Sequence, residues 1–200
     1  MLSMVEKNLP LSEIARRLDG AGIRWAVFAG AAAAVYGAER PLTDVDILVP
    51  LGEGTRVATL LPGAEVVRQE DGRVRGVKLP GVDVIAGLTM FEGEVSYTVD
   101  LDDEMAARRT VHEIAGVRVP VIPVEDNLLL KAVWGRGPEQ GKHDWEDVRA
   151  MLAHGAVGHG AVDWGYLRWR AGMCGAAQGH PMPGVQRALE RLEALDKEGG

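Results

Sequence analysis

The sequence predicts an α+β protein, with a mixed sheet flanked by helices over residues 1–122 and a helical carboxy-terminal region over residues 123–200. Two observations set this division. As far as Ile122, short apolar runs with the alternation of strands are interleaved with segments whose apolar residues recur at helical spacing. From Val124 onward only the helical spacing remains. A third observation bounds the size: 200 residues, 46% hydrophobic and 26% charged, are enough for one hydrophobic core and a small second lobe, and too apolar for a disordered chain.

The elements follow in order. In "PLSEIARRLDGAG", Leu11, Ile14, Ala15 and Leu18 share one helical face, and Gly20 and Gly22 supply the stop. "IRWAVFA" (residues 23–29) reads as a strand and "GAAAAVYG" as a short helix that begins at or just after Gly30. Residues 44–50 are the next strand. "GEGTRVATLLP" is a helix ended by Pro62, and strand-like runs follow at 64–67, 74–79 and 82–86. "VHEIAGVRVPVI" forms two strands about an Ala115-Gly116 turn. In the second part, "VEDNLLLKAVW", "KHDWEDVRAMLAHG", "VDWGYLRWRAGM" and "GVQRALERLEALDKE" are the expected helices. No internal repeat or heptad seam runs through the chain.

Composition narrows the function. A formal charge of −7 argues against a broad surface built to neutralise nucleic-acid phosphates, though a local basic channel is compatible with it. Cys174 is the lone cysteine, so the chain has neither an internal disulfide nor a CxxC metal site; a reducing, intracellular home and a small, buried or half-buried thiol are expected. "MLSMVEKNLP" lacks the basic region and long apolar core of a signal peptide, and no apolar run reaches the roughly 18 residues of a membrane span. A cytoplasmic protein without membrane contact is the expectation.

The chemistry concentrates in "FAGAAAAVYGAERPLTDVDILVP", residues 28–50. Asp44 and Asp46 interrupt an otherwise apolar strand and, one residue apart, share one face of it, about 6 to 7 Å from each other. Two like charges that close repel, so either the face is wet or a cation sits between them; for oxygen donors that cation is Mg²⁺ or a relative. Upstream, a strand passes through Ala29, Gly30 and Ala31 into a helix. Such a turn leaves backbone amides and the positive end of a helix dipole facing whatever binds there, and side chains no larger than methyl allow a phosphate to approach the backbone. Small residues at a helix start are common for structural reasons alone. Together with the carboxylates, the turn describes a phosphate site beside a metal site.

These residues resemble the polymerase-β-like nucleotidyltransferase superfamily. Its smaller members carry GGxAxxxxG, then an Arg, a Thr and DxD, and "AGAAAAVYGAERPLTDVDILV" matches through Gly30, Gly37, Arg40, Thr43, Asp44 and Asp46. The later "VPVIPVEDNLLLKAVWGRGPEQGKHDWEDVRAML" is similar to the segment after the core in minimal, AbiEii-like nucleotidyltransferases, with Lys131, Arg136, Asp144 and Asp147 at matching places. The resemblance covers roughly residues 8 to 153. The family's doubled glycine, or glycine-serine, is Ala29-Gly30 or Gly30-Ala31 here, depending on the alignment.

What the resemblance implies is a nucleotidyltransferase-fold sheet and transfer of a nucleoside monophosphate from a nucleoside triphosphate to an unidentified hydroxyl on RNA, protein or a small molecule. Two Mg²⁺ or Mn²⁺ ions would be held by Asp44, Asp46 and a third carboxylate, Asp83, which interrupts the apolar run in "VKLPGVDVIAG". Asp83 is also the candidate acceptor of the nucleophile's proton. Its competitors Asp100, Asp102 and Asp103 lie in "TVDLDDE", which reads as a solvated loop or helix start. Gly30 and Ala31 would hold the phosphates, with Lys131 and Arg40 as further triphosphate contacts. From the residues alone, a helix-surface salt bridge for Lys131 and a loop-pinning role for Arg40 remain open.

Other features read as structure. His154 and His159, five apart in a glycine-rich turn, do not have the spacing of a helical zinc pair, and His143 belongs to a helix surface. Trp134, Trp145, Trp164 and Trp169 have the spacing of helices packed on one another, and Arg187 and Arg191 that of a charged helix face. Two other functional classes stay open: a nucleotide-binding member without catalysis, and an antitoxin-like or scaffolding protein of the same fold. All three aspartates favour the enzyme.

Overall fold

The computed structural model describes residues 11–92, 95–154, 162–174 and 182–199. His159 and the amino-terminal decapeptide lie outside them. The chain forms two compact units, one of residues 1–31, 41–88 and 99–122, the other of residues 32–40, 89–98 and 123–200.

The first unit is built on a seven-stranded sheet in the order β3-β4-β5-β2-β1-β9-β8. These strands are β1 (Ala26–Phe28), β2 (Val45–Val49), β3 (Glu65–Arg68), β4 (Val74–Leu79), β5 (Val82–Ala86), β8 (Thr110–Ile114) and β9 (Val117–Val121). Every strand expected from the sequence joins this one sheet, although β1 is shorter than the expected 23–29. The pairing is mixed: β2 runs parallel to β5 and β1 parallel to β9, while β1·β2, β3·β4, β4·β5 and β8·β9 are antiparallel. The central strands are apolar on both faces. Val45, Ile47, Leu48 and Val49 are fully buried, and Asp46 alone breaks the burial of β2.

Helix α1 (Leu11–Gly20) buries the face read from its spacing: Leu11, Ile14, Ala15 and Leu18. It packs near β9 and near α3 (Gly54–Leu60), a helix that a 3₁₀ turn at Leu51–Glu53 introduces. Gly54 is required at that helix start, because a Cβ there would stand 2.1 Å from the Val74 carbonyl oxygen of β4. α4 (Asp103–Ala107) is capped by Asp102, whose side chain accepts from the Met105 amide. The helix α2 (Ala29–Val35) begins directly where β1 ends.

A two-stranded sheet that the periodicity did not announce, β6 (Leu88–Glu92) and β7 (Val95–Val99), falls in the second unit except for its end residues Leu88 and Val99. Its polar residues fall on both faces; Thr89 and Thr98, 2.9 Å apart at their hydroxyls, pair across it. The remaining helices lie where helical spacing put them: α5 (Val124–Trp134), α6 (Asp144–His154), α7 (Trp164–Met173) and α8 (Pro183–Gly199). α5 is the hub, packing against α6, α7 and α8, and is buried almost all round. No helix among the described residues is long and apolar enough to cross a membrane.

Candidate functional site

The strand register gathers the carboxylates. Asp46 of β2 pairs with Asp83 of the parallel neighbour β5, so their side chains leave the same face about 5 Å apart. Asp44, expected on that face, lies just before the first residue of β2, Val45. The amide of Val45 donates to the Gly81 carbonyl at 2.9 Å, extending the ladder to the strand ends. On the other side of β2, Phe28 pairs with Asp46. The chain therefore enters the Ala29-Gly30-Ala31 turn at the sheet end where the aspartates lie. Asp44 is exposed, while Asp46, Asp83 and Gly30 are half-buried; Ala31 is buried, and only its backbone is available to a ligand.

The competing aspartates have structural tasks. Asp100 accepts from the Leu51 amide at 2.9 Å, Asp102 caps α4, and Asp103 pairs with Arg24. Asp83 has a different neighbour. Lys78 of β4 pairs in register with it, and the ammonium lies 3.7 Å from its Oδ2. Thr43 Oγ1 donates to Asp44 Oδ1 at 3.1 Å. An all-oxygen set of carboxylates on one face suits a hard divalent ion in donor chemistry. As the side chains stand, with Thr43 on Asp44 and Lys78 on Asp83, no three His, Cys, Asp or Glu groups among the described residues close on a common point.

At the turn, Ala29 has φ of 54°. This is the left-handed region, where an L-residue is strained by its Cβ. A glycine at 29 would sit there freely, so the geometry favours alignment of the family's doubled glycine with Ala29-Gly30. Spacing alone carried no sign of it.

Arg40 and Lys131, expected at the triphosphate, are found in the second unit within one ion network. Lys131 Nζ lies 3.0 Å from Asp144 Oδ1 and 2.7 Å from Asp147 Oδ2, with all three side chains at most 3% exposed. This is a buried bridge between α5 and α6. Arg40 closes on Asp147 with two bonds of 3.0 and 3.1 Å, and Arg136 on Asp144 through Nε at 2.8 Å. Burial pushes the Asp144 carboxyl up, but the hydrogen bond from Arg136 and the charge of Lys131 outweigh it, leaving its pKa lowered. Arg136 also lies 4.1 Å above the Trp134 ring, and Arg191 3.7 Å above Trp145. A second buried cluster joins Asp126 of α5 to α7: Tyr166 Oη donates to it at 2.6 Å, and Arg170 Nε lies 2.9 Å away.

The features set aside as structure have structural surroundings. His154 packs over Gly37, where a Cβ would approach it to 2.5 Å. Trp169 is 47% exposed, more than helix packing predicted, and stacks on Tyr166. Cys174 is buried, and burial pushes its thiol up to about 11, which leaves it protonated and a poor nucleophile at neutral pH.

No protein-family model matches the chain, and no curated protein matches its sequence. Solved structures do match in shape. The antibiotic-resistance factor ANT(2")-Ia, in complex with adenylyl-2"-tobramycin, aligns with a TM-score of 0.51 at 14% identity, covering 80% of this chain and 93% of its own. The fold is that of the nucleotidyltransferases. The candidate nucleotidyltransferase TM1012 from Thermotoga maritima aligns at TM-score 0.48 and 17% identity, over 66% of this chain and 86% of its own. The lincosamide adenylyltransferase LnuA, bound to lincomycin, aligns at 0.46 and 16%, over 70% and 93%.

Proposed function

We propose that this nucleotidyltransferase-fold protein transfers a nucleoside monophosphate from a nucleoside triphosphate to a hydroxyl acceptor, the acceptor oxygen bonding to the α-phosphorus as the α–β phosphoanhydride breaks and pyrophosphate leaves, by a two-metal mechanism of the minimal, AbiEii-like kind. The observation that carries the reading is the register of β1, β2 and β5: it sets Asp46 beside Asp83, with Asp44 just before the strand, at the sheet end where β1 turns into α2.

Asp44, Asp46 and Asp83 are the residues to hold two Mg²⁺ or Mn²⁺ ions. When bound, such ions neutralise triphosphate charge and make an attacking hydroxyl more acidic. Asp83 takes the proton of the acceptor hydroxyl as the general base. Ala29, Gly30 and Ala31 offer no side chain beyond a methyl, and the amides of Gly30 and Ala31 bond the phosphates. Residues 1–122 carry this chemistry as the core domain, and 123–200 form a helical region whose Lys131, with Arg40, serves the buried network first.

The test is transfer of label from each α-labelled triphosphate, with Mg²⁺ or Mn²⁺, to RNA, to protein and to small alcohols or aminoglycosides. One acceptor class becomes labelled, and Asp46→Asn loses transfer by at least about a hundredfold, the scale of losing a group that supports transition-state charge. Transfer that survives Asp46→Asn would refute the assignment. A second reading, a nucleotide binder without turnover, draws on the methyl of Ala29 at the left-handed turn. The binder keeps metal-dependent stabilisation by triphosphate and labels nothing.

A further inference from the structure

The cross-strand row that holds Asp46 and Asp83 continues outward. Asp83 pairs with Lys78 on β4, and Lys78 pairs with Glu65 on β3. One line of neighbouring side chains on one face therefore reads Asp46, Asp83, Lys78, Glu65. We propose that Lys78 is the built-in counter-cation of the carboxylate set: it holds Asp83 in the metal-free protein and yields it to the incoming divalent ion. The inference rests on the reading of Asp44, Asp46 and Asp83 as metal ligands.

The backbone fixes the pairing. "KLPGVD" is a hairpin with Pro80-Gly81 as its two-residue loop; Leu79 pairs with Val82, and Gly81 takes φ of 72°, so Lys78 and Asp83 must face each other. The proximity thus comes from strand register rather than from a chance rotamer of a long side chain. Two carboxylates adjacent on parallel strands repel when nothing lies between them, and a cation one strand away offsets part of that cost. The pair is also weak enough to be released. Its side chains are 55% and 31% exposed and its closest approach is 3.7 Å, and exposed pairs at such distances contribute little. Lys78 has somewhere to go as well. Glu65, exposed on its other flank, occupies the next position of the row, so the ammonium can exchange one carboxylate for another while a doubly charged ion takes the first.

Lys78 is therefore a positioning residue whose influence shows in metal affinity. The experiment is Mn²⁺ titration of the full chain, followed by the electron paramagnetic resonance of the free ion, with no triphosphate and no turnover. Lys78→Met removes the competing cation and binds Mn²⁺ about two- to fivefold more tightly than the parent. Lys78→Arg, which keeps the charge, binds like the parent. In an Asp83→Asn background the gain from Lys78→Met disappears, because the group in dispute is gone. In molar salt the gain shrinks, as screening weakens the ammonium's reach.

Equal or weaker binding by Lys78→Met, in a parent that does bind Mn²⁺, overturns the proposal while leaving the metal reading intact. A gain that persists without the Asp83 carboxylate also overturns it, since the lysine would then act through the general field. If the parent and Lys78→Met both bind Mn²⁺ no better than Asp44→Asn with Asp46→Asn, the metal reading itself fails and the counter-cation role goes with it.

Discussion

At Ala29 a single methyl records a compromise. Its φ of 54° lies in the region that costs an L-residue about 1–2 kcal/mol, and such strain persists only where the surroundings dictate the backbone. Here β1 has just ended opposite Asp46 and α2 begins at once. Ala29→Gly is expected to raise stability by about 0.5–1 kcal/mol, the relief of strain less the greater freedom of glycine in the unfolded chain. Urea unfolding reads this as a higher midpoint with an unchanged slope; a lower midpoint would show that the turn carries its methyl without strain. The sequence exposed Asp44, Asp46 and Asp83 because each is a charge inside an apolar alternation. It did not expose the strain at 29, since an alanine before a helix looks ordinary and only the backbone angle distinguishes it. Lys78 was legible in principle: "KLPGVD" pairs its first and last residues across a proline-glycine turn.

Between elements, legibility depended on how local the cause was. Helix α1 buries the face that its spacing named, and the Ala115-Gly116 turn joins β8 to β9, because those signals lie within one element or one hairpin. The fate of Lys131 depends instead on residues 13 and 16 positions later in α6, and a helix buried all round gives no polar face from which to read it. Removing that lysine takes one buried cation from two buried carboxylates and leaves Asp147 to Arg40 and Asp144 to Arg136. Lys131→Met is therefore expected to destabilise the protein by about 1–3 kcal/mol, the scale of lost hydrogen bonds to a buried charged group, lowering the unfolding midpoint of a transition monitored in the second unit. An effect below about 1 kcal/mol would mean that Arg40 and Arg136 suffice for both carboxylates. The lowered pKa of Asp144 adds a pH dependence. Its stabilising contribution is present above the ordinary aspartate range and is lost as pH falls below about 4, through the still lower folded value. Asp144→Asn should flatten the acid limb of a stability-against-pH profile; an unchanged limb would assign the acid sensitivity elsewhere.

For the whole molecule, the question is why an acidic chain with a net charge of −7 should set two of its like charges, Asp44 and Asp46, one residue apart at the start of a central strand. If Asp44 and Asp46 stand there to take a metal, they burden the empty fold, through repulsion and the partial desolvation of Asp46. Asparagine at both positions keeps an oxygen acceptor, including the one that Thr43 uses, and removes the charge. Asp44→Asn with Asp46→Asn is thus expected to fold normally, with a melting temperature equal to or slightly above that of the parent without ligand. The contrast comes with ligand. Mg²⁺ plus a preferred triphosphate at a hundred times its dissociation constant stabilises the parent by about 2.7 kcal/mol, since it binds the native state alone. For a chain of this length that corresponds to an upward shift of about 5–10 °C, and the double variant loses it. A face that is merely wet predicts the opposite pattern: the substitutions would leave both melting curves where they were, and the parent would show no shift with Mg²⁺ and any of the four triphosphates. A parent indifferent to all of them would count against the metal site more heavily than a missing acceptor in a transfer assay, because stabilisation needs only the triphosphate and the ion.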